Sequence, residues 1–195
     1  MSRNIEYEER VLLTKEQYDA ILTFYTREYP HHHFIEQTNF YFDTKEHELK
    51  KQGIAFRLRT ILNHHTELTL KFKKERGDAE INQFLTYSQE LNMLSTIQIP
   101  DGEIKEALTH ISIPFNLYTR IGSMKTKRLE IAKEDYLIVI DENTYFGITD
   151  YNLEIEGPSM KKAKEILLQL CNIYHLTYKK DYSSKSSRLF HYLNK

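Results

Sequence analysis

Residues 53–74 read GIAFRLRTILNHHTELTLKFKK, and this stretch decides the fold. Ile54, Phe56 and Leu58 alternate with Ala55, Arg57 and Arg59, and Leu68, Leu70 and Phe72 alternate with Thr69, Lys71 and Lys73. Side chains two apart share a face of a strand, so each run is a strand with one apolar and one basic face. Asn63, His64 and His65 interrupt the alternation and form the expected hairpin tip.

The same period spreads in both directions. In 4–13 the even positions Glu6, Glu8 and Arg10 are charged, with Ile5 and Tyr7 opposite. Further strands are expected over 34–43, 79–88, 116–132, 135–142 and 148–157, which makes eight. Thr14 with Gln17 three residues later is a capping box, and Ala20, Ile21, Phe24 and Tyr25 give the helix after it an apolar stripe. Short helices are expected near 89–95 and 101–110. A long one opens after Pro158 and Ser159, with Ala163, Ile166, Leu167, Leu170, Cys171 and Tyr174 on its buried face, and a last one lies near 184–193. No repeat, low-complexity linker or boundary divides 1–195, so a single α+β domain is expected: an antiparallel barrel or highly curved sheet with helices packed outside.

Composition supports a folded, strand-rich chain. The 195 residues are 40% hydrophobic and 28% charged, with 10 Phe, 14 Tyr and no Trp. The formal net charge is -1, so no nucleic-acid polymer or membrane partner is expected, and any basic site must be local. Cys171 is the single cysteine, the first residues lack a signal-peptide core, and no apolar run nears the roughly 20 residues a membrane helix needs. A cytoplasmic protein is the expectation. The sequence leaves the oligomeric state open.

The charged faces carry the functional argument. Beyond Arg57, Arg59, Lys71 and Lys73, the strand ending KTKRLEI contributes Arg128, with Arg120 at the same parity. YLIVIDEN contributes Asp141, and YNLEIEG contributes Glu154 and Glu156 against Leu153 and Ile155. A sheet with one wet face gives the same alternation. Against it, like charges recur in pairs, which is costly unless something neutralises them, and the acidic pairs sit at opposite ends of the chain. Turned inward, six basic residues (Arg10, Arg57, Arg59, Lys71, Lys73, Arg128) face five acidic ones (Glu6, Glu8, Asp141, Glu154, Glu156). A hard divalent cation on the carboxylates would free the basic groups for a polyanion, which makes a phosphate chain with Mg²⁺ or Mn²⁺ the matching ligand.

In order along the chain, these residues resemble the CYTH superfamily of triphosphate tunnel metalloenzymes. The Glu6-Tyr7-Glu8-Glu9-Arg10 segment is similar to the family's E-x-E-x-K hallmark, with Arg in place of Lys. The resemblance continues through Tyr41 to Thr44, Arg57-Leu58-Arg59, Leu68 to Lys73, Lys127-Arg128, Asp141, Glu154-Ile155-Glu156 and Ser184-Lys185-Ser186. It implies an eight-stranded antiparallel tunnel with a charged interior. It further implies metal ligands at Glu6, Glu8, Asp141, Glu154 and Glu156, and phosphate contacts from Arg10, Arg57, Arg59, Lys71, Lys73, Arg128 and Lys185. A lysine that activates water, paired with a tyrosine, corresponds to Lys71 and Tyr41.

The resemblance implies hydrolysis of a small triphosphate, inorganic tripolyphosphate being favoured. Cyclisation of ATP by a class IV-type adenylate cyclase is the alternative, and a non-catalytic triphosphate- or polyphosphate-binding module is a third. Other features read as structural. His31-His32-His33 follows Pro30 in a loop without zinc-site spacing, Cys171 lies on an apolar stripe, and Lys161, Lys162 and Lys164 form a wet helix face. No P-loop or G-x-G-x-x-G motif is present.

Overall fold

The alternation of the opening stretch translates directly into burial. Phe56, Leu58, Leu68 and Leu70 are almost completely buried, while Arg57, Arg59 and Lys71 between them stay partly accessible. The computed structural model describes residues 2–74, 77–179 and 184–193. Among these lie eight strands: β1 (Ser2–Leu13), β2 (Phe34–Thr44), β3 (Ile54–Ile61), β4 (Thr66–Phe72), β5 (Asp78–Leu85), β6 (Tyr118–Ala132), β7 (Leu137–Tyr145) and β8 (Ile148–Gly157). Six helices accompany them: α1 (Lys15–Glu28), α2 (Glu48–Lys51), α3 (Tyr87–Thr96), α4 (Glu103–Ile111), α5 (Met160–Ile173) and α6 (Lys185–Leu193). The strands close a barrel in the order β1-β5-β4-β3-β2-β6-β7-β8, and every strand pair with a described register is antiparallel.

The β3–β4 turn falls where the alternation breaks. Asn63 takes the left-handed conformation (φ 61°), which asparagine tolerates well, and Ile61 N–H donates to the His65 carbonyl at 3.0 Å. The Thr14–Gln17 box is present: the Thr14 hydroxyl accepts from Gln17 N–H and the Gln17 side chain accepts from Thr14 N–H at 2.9 Å. A second box at Thr86 and Gln89 starts α3 in the same way. No described helix is long and apolar enough to cross a membrane.

The chain forms two compact units, the first mainly Gln37–Met124 and the second Glu6–Glu36 with Lys125–Ser184. Each has its own core. In the first, the apolar faces of β2 to β5 pack with Leu49 of α2, Met93 of α3, and Ile104 and Leu108 of α4. In the second, Val11, Leu13, Leu129, Ile131, Ile138, Ile140, Leu153 and Ile155 pack with α1 and α5. The α5 stripe is as expected: Ala163, Ile166, Leu167 and Cys171 are buried, with Leu170 and Tyr174 packed against them. The α1 stripe is shifted. Tyr18, Ile21 and Tyr25 face the core, whereas Ala20 is exposed and Phe24 is 39% exposed. Tyr18 pulls the stripe round because its ring packs against Tyr151 of β8, with ring centres 4.6 Å apart and the planes tilted by 33°.

Both cores take one face of the sheet and leave the polar face to the charged residues. Leu58→Ala or Leu68→Ala, each at a fully buried position, should cost about 2–5 kcal/mol of unfolding free energy in a urea titration. Leu62→Ala, at a position 60% exposed, should stay within about 0.5 kcal/mol of the parent.

Candidate functional site

In the second unit, register puts the acidic motifs side by side. Glu8 pairs with Glu156 and Arg10 with Glu154 across β1 and β8. Val139 and Asp141 oppose Glu154 and Asn152 across β7 and β8, and Arg128 opposes Asp141 across β6 and β7. Directly opposed residues project from the same face, so one surface collects all these groups.

Two guanidiniums organise it. Arg10 donates from Nε to Glu154 Oε1 at 2.9 Å and from its terminal nitrogen to Glu8. Arg128 grips Asp141 with two bonds, at 2.8 and 3.0 Å, reaches Glu130 at 3.3 Å, and lies 3.6 Å from Glu154 Oε2. Glu154 is therefore held on one oxygen by Arg10 and on the other by Arg128. Burial disfavours both guanidinium charges, yet the surrounding carboxylates outweigh it and hold both pKa values above the usual range.

Oxygens of Glu8, Glu154 and Glu156 lie within 4.8 Å of one another. Burial, together with the charges of Glu154, Glu6 and Glu8, pushes the Glu156 carboxyl up to about 7 against the pull of Arg128. Three converging carboxylates are the oxygen donors a hard divalent cation takes. The residues present therefore fit the metal that the fold family implies. Asp141 is not part of this trio. It is fully buried, both its oxygens are taken by Arg128, and Asn152 donates to it at 3.3 Å. Thr126 donates to Asn143, and Asn143 donates to Asn152 and Asp150, at 2.8 to 3.0 Å, so a chain of neutral groups orients that carboxylate.

In the first unit the polar face is basic and internally balanced. Arg59 reaches Glu67 at 3.3 Å and donates to Asn39 Oδ1 at 3.3 Å. Lys71 lies 3.2 Å from Glu80 and 3.4 Å from Asp78, and Arg57 lies 4.0 Å from Glu80. Burial would raise the Glu80 carboxyl, but Arg57, Lys71 and Arg59 outweigh it and hold it below the usual range. Glu80 and Glu156 are shifted in opposite directions because cations outweigh burial at the first, while burial and acidic neighbours outweigh Arg128 at the second. Tyr41 is 2% exposed and pairs in register with Arg57, which places it on the same face as Lys71.

The remaining sequence candidates sit at margins. Lys73 lies exposed just past β4, and Lys185 is the half-buried first residue of α6. Arg120 does not join Arg128. It is exposed, 6.0 Å from the ring of Phe40, whose register partner Leu58 belongs to the core face. Glu67, Glu80 and Glu130 were missed by the sequence reading. Glu67 shares parity with Lys71 and Glu130 with Arg128, so alternation alone could have found both. Glu80 needed the β4–β5 register, which sets it opposite Lys71.

A family profile described as CYTH domain matches residues 4–187. The chain belongs to the CYTH family. Among proteins similar to this CYTH domain is YjbK of Bacillus subtilis (strain 168), named as a candidate triphosphatase. It is 33% identical over 176 residues, 89% of this chain and 90% of that one. A candidate adenylate cyclase from Bacillus halodurans, bh2851, superposes with a TM-score of 0.89 at 30% identity, covering 97% of this chain and all of that one. HpAC1 from Hippeastrum, a candidate adenylyl cyclase described as having a dominant triphosphatase activity, shares the fold. Its TM-score is 0.78 at 18% identity, with 96% of each chain covered. The CYTH fold is thus the closed barrel described above, in a family whose relatives are named for triphosphate hydrolysis and cyclisation.

The raised Glu156 carboxyl gives this CYTH domain a pH signature. Its folded pKa of about 7 exceeds the unfolded value of about 4.3, so the native state holds a proton that the unfolded chain releases. Metal-free stability should therefore fall as pH rises from about 4.5 to about 7. Glu156→Gln should flatten that slope and leave the metal-free variant more stable than the parent at pH 8. Urea titrations in EDTA at pH 5 and 8 check this, and an unchanged slope would remove Glu156 as its source.

Proposed function

We propose that this protein is a cytoplasmic, single-domain, Mg²⁺- or Mn²⁺-dependent triphosphatase acting on a small triphosphate, with inorganic tripolyphosphate favoured. The observation that carries this reading is the Glu8–Glu154–Glu156 cluster, whose oxygens lie within 4.8 Å of one another beside Arg10 and Arg128. The likeness to YjbK, named as a candidate triphosphatase, supports the same activity.

In this reading Glu8, Glu154 and Glu156 hold the cation, Glu6 adds charge beside them, and Asp141 keeps Arg128 in place. When bound, the cation would draw charge from the phosphate oxygens and lower the pKa of a coordinated water. Arg10, Arg57, Arg59, Lys73, Arg128 and Lys185 contact the phosphate chain, the arginines through paired N–H donors and the lysines as point charges. A water oxygen adds to the terminal phosphorus, the bond to the bridging oxygen breaks, and orthophosphate and pyrophosphate leave. Lys71, with Tyr41 on the same face, takes the proton of the attacking water. Lys71 lies 3.2 Å from Glu80 and 3.4 Å from Asp78. As ammonium it grips a phosphate oxygen, and it must shed its proton before it can act as a base.

The likeness to bh2851, named as a candidate adenylate cyclase, favours a second reading in which ATP is cyclised. There the ribose 3′-oxygen attacks the α-phosphorus and pyrophosphate leaves.

A substrate panel separates these readings: phosphate release and cyclic AMP formation from tripolyphosphate, ATP and thiamine triphosphate, with Mg²⁺ or Mn²⁺. Phosphate release fastest from tripolyphosphate is the expected result. Cyclic AMP from ATP would favour the cyclase, and tight binding without turnover would leave a binding module. Within the hydrolase reading, Arg59→Ala should mainly raise KM and Lys71→Ala should mainly lower kcat. Full kcat in Lys71→Ala would remove only its role as base.

Glu6→Gln and Glu156→Gln should weaken metal binding and depress turnover. Glu9→Gln should do little to either, because Glu9 lies on the core side, where it accepts a hydrogen bond from Tyr178 at 3.2 Å. Equal effects from Glu9→Gln and Glu6→Gln in a metal titration would refute this assignment of faces.

A further inference from the structure

The polar face of the first unit carries buried hydrogen-bonding atoms that the protein does not satisfy. Tyr41, Arg57, Thr69 and Asn82 form one row across β2, β3, β4 and β5, and Asn39, Arg59 and Glu67 form the next. In these two rows Asn39 Nδ2, Thr69 Oγ1 and Asn82 Oδ1 are all buried without a hydrogen-bond partner. Asn39 and Thr69 are fully buried. Buried polar atoms are nearly always bonded, so three open ones on adjacent rows call for an explanation beyond packing.

The second unit supplies the contrast. Asn143 and Asn152 are equally buried, yet their amides are bonded to Thr126, Asp150, Asp141 and each other. The fold can close an amide network on a polar barrel face and leaves this one open. Asn39 bonds Arg59 with its oxygen alone, at 3.3 Å, so its amide N–H groups remain to be used.

We propose that Asn39, Thr69 and Asn82 form a neutral hydrogen-bonding subsite for the phosphate chain, between the contacts made by Arg57 and Arg59. The proposal rests on the triphosphate reading above and adds residues that reading does not include. Non-bridging phosphate oxygens only accept, and this subsite offers an amide N–H from Asn39 and a hydroxyl from Thr69. Asn82 offers a second amide that presents its N–H groups by rotation about its last torsion. Arg57, Arg59 and Lys71 are already matched by Glu67 and Glu80. Neutral donors thus add hydrogen bonds to the chain without adding charge that must be balanced when the site is empty of substrate.

Thr69 gives the sharpest test, because Thr69→Val removes the hydroxyl and nearly keeps the shape. Binding of a non-hydrolysable imido analogue of tripolyphosphate is measured by calorimetry with Mg²⁺ present, and melting is followed without ligand. Thr69→Val and Thr69→Ala should each raise Kd by about tenfold, as expected for one hydrogen bond to a charged group. Thr69→Ser, which keeps the hydroxyl, should bind like the parent. Ligand-free Thr69→Val should melt no lower than the parent, since it loses an unsatisfied buried group. Unchanged Kd in Thr69→Val or Thr69→Ala, or an equal loss in Thr69→Ser, would overturn the subsite. Failure of the parent protein to bind the analogue would instead bring down the triphosphate reading on which it rests.

Discussion

The second unit is governed by one electrostatic constraint. Glu8, Glu154 and Glu156 converge within 4.8 Å where burial keeps water from screening them. Isolated charges in such a place cost several kcal/mol each. The protein supplies Arg10 and Arg128, and Glu154 takes one from each side. Burial and its acidic neighbours push the Glu156 carboxyl up to about 7 against the pull of Arg128. Much of the surrounding architecture serves to hold this crowd together. The β1–β8 register sets Glu8 against Glu156, and the chain from Thr126 through Asn143 and Asn152 fixes Asp141 so that Arg128 cannot swing away.

The apolar faces make that crowding sustainable. Each unit buries Leu, Ile, Val and Phe from alternate strand positions against helices, and this burial stabilises the fold independently of the charges. Because the strand period is two, a shift of one residue would exchange the core and charged faces completely. The cores therefore fix the register that brings the carboxylates together.

The two charged faces differ in how protein groups meet their charge. In the first unit Arg59 lies beside Glu67, and Lys71 and Arg57 lie beside Glu80. In the second, Arg10 and Arg128 hold Glu154 from two sides, and burial with acidic neighbours raises the Glu156 carboxyl.

Alternation by itself determined most of the fold. It assigned the eight strands, the hairpin at Asn63, the buried stripe of α5 and the charged faces bearing Arg57, Arg59, Lys71, Glu154 and Glu156. These are local properties, set by a period of two or 3.6 residues and by capping chemistry. The α1 stripe was legible only approximately, because Tyr18 owes its position to a ring on β8 that lies far away in sequence. Beyond that hairpin, pairing partners were not legible. That Asp141 would be consumed by Arg128 rather than join the acidic trio, and that Glu80 would neutralise Lys71, follow from registers between strands. The open amide and hydroxyl of Asn39 and Thr69 follow in the same way. A sequence states which face a side chain takes, but only the tertiary structure decides which neighbours share that face at hydrogen-bonding distance.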